Sequence, residues 1–264
     1  MRPIRAVSGG LTALALAAAA LFTAVPANAA SVNYVALGDS YSAGVGAGNY
    51  DGSSGSCSRS YDSYPALWAA ANSPSSYVSV ACSGAKTGDV LSNQISALNS
   101  GTTLVSITIG GNDAGFANTM ETCVLDGTSA CLSSVAGDES YAQNTLPGQL
   151  GQVYSAIRNA APNAEVVVLG YPHLYEVPGS CWFGISDTSR NAINGAADEL
   201  DSVISTAAAN AGFTYADVRS AFSGHEICSD DEWLHSTTLP IDESYHPTAA
   251  GYQYGYLPVF SNNV

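Results

Sequence analysis

The chain has 264 residues, 46% of them hydrophobic and 15 of them Tyr, and carries 7 Lys+Arg against 22 Asp+Glu for a formal net charge of −15. The apolar share points to a packed globule rather than a disordered acidic chain. A field of that sign repels phosphate backbones, which argues against nucleic acid as a partner.

In chain order, residues 1–29 read as a secretory signal peptide: Arg2 and Arg5, an apolar run from Leu11 to Val25, then the small-residue triplet Ala27-Asn28-Ala29. A membrane anchor is the alternative, but the run is short, rich in Ala and followed by a processing site. Residues 30–264 have the length of a single domain. With the two leader arginines removed, that domain has five Lys+Arg against 22 Asp+Glu, a net of −17. The expected product is secreted, extracellular and monomeric, with no stable membrane insertion.

Short β-branched runs alternate with helix-like segments. Tyr34 to Leu37, Tyr77 to Ala81, Leu104 to Ile109, Glu165 to Leu169 and Phe213 to Ala216 read as strands, the third and fourth apolar enough to lie centrally. Tyr64 to Ala71, Thr87 to Leu98, Leu146 to Ala160 and Thr188 to Ala211 have helical spacing, with Leu91, Ile95 and Leu98 as a sheet-facing stripe. Ala114 to Gln143 lacks a clear period and reads as a pinned loop region near the mouth of a site. The alternation predicts an α/β fold: a three-layer α/β/α, flavodoxin-like sandwich on a parallel sheet of about five strands, order 2-1-3-4-5.

Six cysteines follow the leader: Cys57, Cys82, Cys123, Cys131, Cys181 and Cys228. An even count in an exported chain implies three disulfides. Neighbour pairing closes the shortest loops and is the working expectation, although sequence does not choose among the alternatives. Zinc is the rival use, but there is no Cys-x-x-Cys pair and no clustered His. No metal and no cofactor is expected.

Three segments carry chemistry. Gly38-Asp39-Ser40 follows the first strand, where an open α/β sheet presents residues to ligands. Gly110-Gly111-Asn112-Asp113 follows the third strand, adjacent to the first in the expected order, and an Asn amide there can hold a developing oxyanion. Glu243-Ser244-Tyr245-His246-Pro247 places a carboxylate three residues before a His. A serine hydroxyl needs an imidazole to take its proton, and the imidazole needs a partner that fixes its tautomer. Alone, the first segment reads more simply as a Gly-Asp-Ser turn capping the next helix, and the second also as a Gly-Asn turn. His173, His225 and His235 suit surface or loop-packing roles, and Trp182, Trp233 and Tyr245 suit either a pocket wall or the core.

Taken in order, with Gly84 as a further block, these segments resemble the SGNH hydrolases, the GDSL esterase and lipase family, and in particular its secreted actinobacterial type of lipase and phospholipase A1. The resemblance implies Ser40 as nucleophile and His246 as general base, with the Ser40 amide, the Gly84 amide and the Asn112 side chain as oxyanion donors. Tyr41 stands where the family name has Leu, and Glu243 where Asp is usual. Some secreted members orient the His with a backbone carbonyl instead, so Glu243 and the Ser244 carbonyl both stand as candidates, with Asp242 behind them. The implied activity is extracellular serine ester hydrolysis of a small-molecule or lipid ester, of lipase, esterase or phospholipase A1 type. The alternatives are a carbohydrate esterase of the acetylxylan type and a non-catalytic binding protein on the same fold. There is no Gly-x-Ser-x-Gly elbow, no His-Glu-x-x-His and no phosphate-binding Gly-rich loop. The acidic run Asp230-Asp231-Glu232 lacks the spacing of a calcium loop.

Overall fold

Where apolar, largely β-branched residues dominate a short run, as at 104–108 and 165–169, both faces of the strand are buried, and the sheet forms around those runs. The structure, a computed structural model, describes residues 31–264 apart from 182 and 183, together with residues 1 and 3. Apart from those two positions, the expected leader lies outside the described residues, as does Trp182. Ser31–Val264 form one compact unit.

Five strands, β1 (Asn33–Gly38), β2 (Ser76–Ser79), β3 (Leu104–Thr108), β4 (Glu165–Leu169) and β5 (Thr214–Ala216), pair in parallel in the order β2-β1-β3-β4-β5. This is the expected order, and each strand lies within a residue or two of its expected bounds. β3 is buried throughout and β4 in all but its first residue, whereas β2, at the edge, alternates exposed and half-buried positions.

The short helix α1 (Ser40–Ala43) leaves β1, and α2 (Tyr64–Asn72) returns the chain to β2. The segment leaving β2 opens with α3 (Thr87–Asp89), and the one leaving β3 passes through α4 (Gly111–Ala114), α5 (Phe116–Leu125), α6 (Gly127–Asn144) and α7 (Leu146–Ala160) to β4. α8 (Asp187–Asn210) leads to β5 and α9 (Leu257–Ser261) ends the chain. Tyr34, Tyr64, Trp68, Tyr256 and Phe260 form an aromatic cluster that packs α2 and the C-terminal segment onto β1. α7 and α8 pack against each other, and α8 also against β4 and β5. The three disulfides join neighbours: Cys57 to Cys82, Cys123 to Cys131 and Cys181 to Cys228.

Two expectations are corrected. Ala114 to Gln143 is not a loop but the helical pair α5 and α6. Its Gly and Ser content masks the period, because α6 buries only Cys131, Val135 and Ala142. The helices hold by packing, α5 on α6 and α6 on α8, and by the disulfide across their turn. The residues after Thr87 are not one regular helix. α3 gives way to a π turn at Val90–Gln94 and a 3₁₀ turn at Ile95–Ala97. The buried face is therefore Val90, Gln94 and Leu98, while Leu91 is exposed and Ile95 only half-buried.

Gln94 is buried for a reason. Its Oε1 accepts from the Gly38 amide at 2.7 Å and its Nε2 donates to the Gly38 carbonyl at 2.9 Å, so one side chain satisfies the backbone at the end of β1. Gln94→Leu leaves the buried Gly38 amide without a partner and should cost about 1–3 kcal/mol. Leu91→Ala should stay within about 0.5 kcal/mol of the parent. Calorimetric melting of the two variants checks which face is buried, and equal losses would contradict the assignment.

Candidate active site

The end of β1 is shaped by glycine. Gly38 has φ +120°, and a side chain there would strike the Thr108 carbonyl and the Ser42 hydroxyl, so only glycine lets β1 end this close to β3. Asp39 follows, buried, its amide donating to the Thr108 carbonyl at 3.0 Å. Its carboxylate accepts from the Tyr41 amide at 3.0 Å, the Thr108 hydroxyl at 2.6 Å and the Tyr171 hydroxyl at 2.5 Å. Burial pushes this carboxyl up to about 6, and the hydroxyl donors hold it from rising further. As the cap of α1, Asp39 presents Ser40 at the carboxyl edge of the sheet.

The C-terminal loop brings His246 to that serine. His246 Nε2 lies 2.7 Å from Ser40 Oγ, and Nδ1 lies 3.0 Å from the Ser244 carbonyl oxygen. A carbonyl can only accept, so Nδ1 carries the hydrogen and Nε2 is left to accept from the serine hydroxyl. Tyr245, between carbonyl and imidazole, has φ +64°, the left-handed conformation that turns the ring back on its own backbone. Tyr41, next to the serine, donates its hydroxyl to the Tyr245 carbonyl at 2.7 Å, joining the two loops independently of the Ser40–His246 contact. His235 Nε2 meets the Gly46 carbonyl at 2.9 Å, and its backbone pairs with Tyr245 and His246. His246 is half-buried at the edge of a cavity, and desolvation pushes its pKa down to about 4, against the pull of the Ser244 and Glu243 backbone.

Glu243 is not the partner of the imidazole. Its carboxylate accepts from the Tyr50 hydroxyl at 2.7 Å, so it ties down the loop that follows α1. Of the two candidates it is the Ser244 carbonyl that touches the ring. Asp242 acts on His246 only as a nearby charge.

The loops after β2 and β3 are stitched together. Asn112, in α4, donates from Nδ2 to the Ala85 carbonyl at 3.0 Å, and Asp113 accepts from the Thr87 amide at 3.0 Å and the Thr87 hydroxyl at 2.6 Å. Gly84 has φ +75° and open space on its Cβ side, two residues from the Cys82 end of a disulfide. Ser40, Gly84, Asn112 and His246 all line one cavity of ≈ 720 Å³ whose walls are largely apolar, with Phe116, Met120, Leu174, Ile193 and Leu200 among them. Tyr245 lines it too, while Trp233 stacks on His225. The α5–α6 pair supplies one wall, so the segment expected at the mouth of a site is there, in helical form. Among the described residues no group of three or more His, Cys, Asp or Glu is arranged to hold a metal ion.

Sequence reasoning missed Tyr171. Its hydroxyl donates to Asp39 and accepts from the Gly111 amide at 3.2 Å, bridging the serine loop and the asparagine loop. The available signal was its place two residues after β4, at the same sheet edge as Ser40 and Asn112.

Comparison with known proteins gives the family and the fold. Residues 36–254 match the GDSL-like Lipase/Acylhydrolase family. The chain is 57% identical to Lipase 1 of Streptomyces coelicolor, over 99% of each chain. The crystal structure of an extracellular lipase from Streptomyces rimosus superposes with a TM-score of 0.87 at 59% identity, and that of phospholipase A1 from Streptomyces albidoflavus with a TM-score of 0.87 at 58% identity. Each match covers 89% of this chain and 100% of the other.

A hydroxyl bonded to a neutral imidazole should be a reactive nucleophile. A fluorophosphonate probe is expected to label Ser40, located by peptide mass. Labelling should be lost in His246→Ala and kept near the parent rate in Glu243→Gln; loss in the Glu243 variant would return the carboxylate to the site.

Proposed function

The chain belongs to the GDSL-like lipase/acylhydrolase family, and from that membership we propose a mechanism in which Ser40 attacks an acyl ester, His246 moves the proton and the Ser244 carbonyl orients His246. The protein is a carboxylic ester hydrolase of the lipase kind. The observation that carries the residue assignment is the line from Ser40 Oγ through the imidazole to a main-chain carbonyl, at the floor of an apolar cleft.

His246 Nε2 takes the proton as Ser40 Oγ bonds to the substrate carbonyl carbon. The Ser40 and Gly84 amides and the free hydrogen of the Asn112 amide hold the resulting oxyanion. Asn112 suits this task because Ala85 fixes its second hydrogen, so the donor is oriented before charge develops. The alcohol leaves with the proton from His246, and water repeats the sequence on the acyl-enzyme. The apolar walls suit an acyl chain, which favours lipid esters, and similarity to a protein named phospholipase A1 supports including phospholipids among them. The leader-like residues 1–29 and the three disulfides support an exported enzyme.

Ser40→Ala should abolish hydrolysis of nitrophenyl and triacylglycerol esters while leaving the melting temperature near the parent's. Asn112→Ala should lower kcat by about 10²- to 10³-fold, the usual loss for one oxyanion donor; unchanged turnover would remove it from the site. Proton transfer needs a neutral imidazole, so activity is lost as pH falls through the pKa of His246. Because burial lowers that pKa from 6.5 to about 4, the acid limb of kcat/KM should lie well below 6.5. A limb at or above 6.5 would contradict the assigned environment of the ring.

A further inference from the structure

Beside the cleft lies a second cavity of ≈ 160 Å³, and the two share Val124, Thr237 and Tyr245 in their walls. Arg190, on the first turn of α8, also lines the smaller one. It is the only charged side chain among the described lining residues, in a chain with 22 acidic ones.

The state of this arginine is unusual. Its side chain is only 5% exposed. Nη1 meets Asp187 at 3.1 Å, but that carboxylate is 57% exposed, and Nε is buried with no hydrogen-bond partner among the described residues. The guanidinium carbon also lies 5.8 Å from the centre of the Tyr175 ring. A guanidinium taken out of water and so sparsely paired is costly unless an anion completes it. Other cations are differently placed: Arg219 is held by Asp198 and Asp217, and Arg158 donates to the Pro162 and Ala164 carbonyls.

We infer that the Arg190 cavity is the subsite for the phosphodiester of a glycerophospholipid whose ester is cleaved at Ser40; this rests on the ester-hydrolase reading of the cleft. Arg presents a planar fork of donors that matches phosphate oxygens, and Ser236 and Thr237 line the same cavity, the Thr237 hydroxyl sharing a hydrogen bond of 2.7 Å with the Tyr245 hydroxyl. Tyr245 connects the two sites, because its next neighbour is His246. A headgroup phosphate at Arg190 therefore sits beside the reacting ester, with the acyl chain directed along the apolar walls of the larger cleft. The carboxylates around the larger cleft, Asp138 and Glu139 among them, leave Arg190 as the one Lys or Arg lining either cavity among the described residues.

The test compares the parent, Arg190→Gln and Arg190→Lys on phosphatidylcholine and on diacylglycerol of the same acyl chains, both in neutral detergent micelles, with a short nitrophenyl ester as reference. Arg190→Gln should lose ~10-fold or more of kcat/KM on phosphatidylcholine, as expected for one charge-assisted contact, with diacylglycerol and the nitrophenyl ester within about two-fold. Arg190→Lys should fall between. Equal loss on all three substrates, or none on phosphatidylcholine, would overturn the subsite. Should the variants fail to fold, the parent decides. sn-Glycero-3-phosphocholine should inhibit nitrophenyl ester hydrolysis competitively, at concentrations where inorganic phosphate does not. No inhibition, or equal inhibition by inorganic phosphate, would overturn the lipid assignment. Ser40-dependent turnover of the nitrophenyl ester separates the two readings: if it is present the cleft stands whatever becomes of Arg190, and if it is absent both fall.

Discussion

The buried carboxylate of Asp39 is the point on which the ends of three strands converge. It accepts from its own loop through the Tyr41 amide, from the end of β3 through the Thr108 hydroxyl, and from the segment after β4 through the Tyr171 hydroxyl. Withdrawing a carboxylate from water is expensive, and three donors offset most of that cost. The part not offset appears as the upward displacement of its pKa. In return, the residue that follows Asp39 is located by β1, β3 and β4 together. Since the Tyr171 hydroxyl also takes the Gly111 amide, the loop bearing Asn112 is brought into register with the serine by the same network.

The C-terminal loop solves a different problem, that of holding an imidazole beside a serine without burying another charge. A carboxylate partner would favour the imidazolium and would itself need desolvation. A carbonyl fixes the tautomer at lower electrostatic cost, and the ring stays neutral over a wide range of pH. Tyr41 and Tyr50 anchor the loop at two further points, one through the Tyr245 carbonyl and one through the Glu243 carboxylate. Glu243 therefore contributes to the site through the position of the loop.

Much of this was legible in the sequence, for physical reasons that differ by element. Buried parallel strands tend to be nearly continuous in apolar residues, so β3 and β4 declared themselves, and 2-1-3-4-5 is one of the two common orders of a doubly wound sheet. Ser40, Asn112 and His246 stood in short segments whose order along the chain was informative even where each alone was a common turn. The α5–α6 pair was hidden because its helicity depends on partners and a disulfide rather than on its own periodicity. The buried face after Thr87 was misread because a polar Gln94 occupies it, and its reason for being inside, the Gly38 backbone, is 56 residues away. Tyr171 and the choice between Glu243 and the Ser244 carbonyl were out of reach for the same reason: a side chain's direction depends on backbone torsions that composition does not encode.

The left-handed twist at Tyr245 has a genetic corollary. A main-chain oxygen has no codon, so no exchange at position 244 deletes the group that faces the ring, and the buried Ser244 hydroxyl serves instead to hold the loop, accepting from the Thr238 amide at 2.9 Å. The demand falls instead on Tyr245, the neighbour that must adopt the unfavourable torsion. What orients the ring at this corner of the molecule is thus a bend of the chain and not the identity of a side chain.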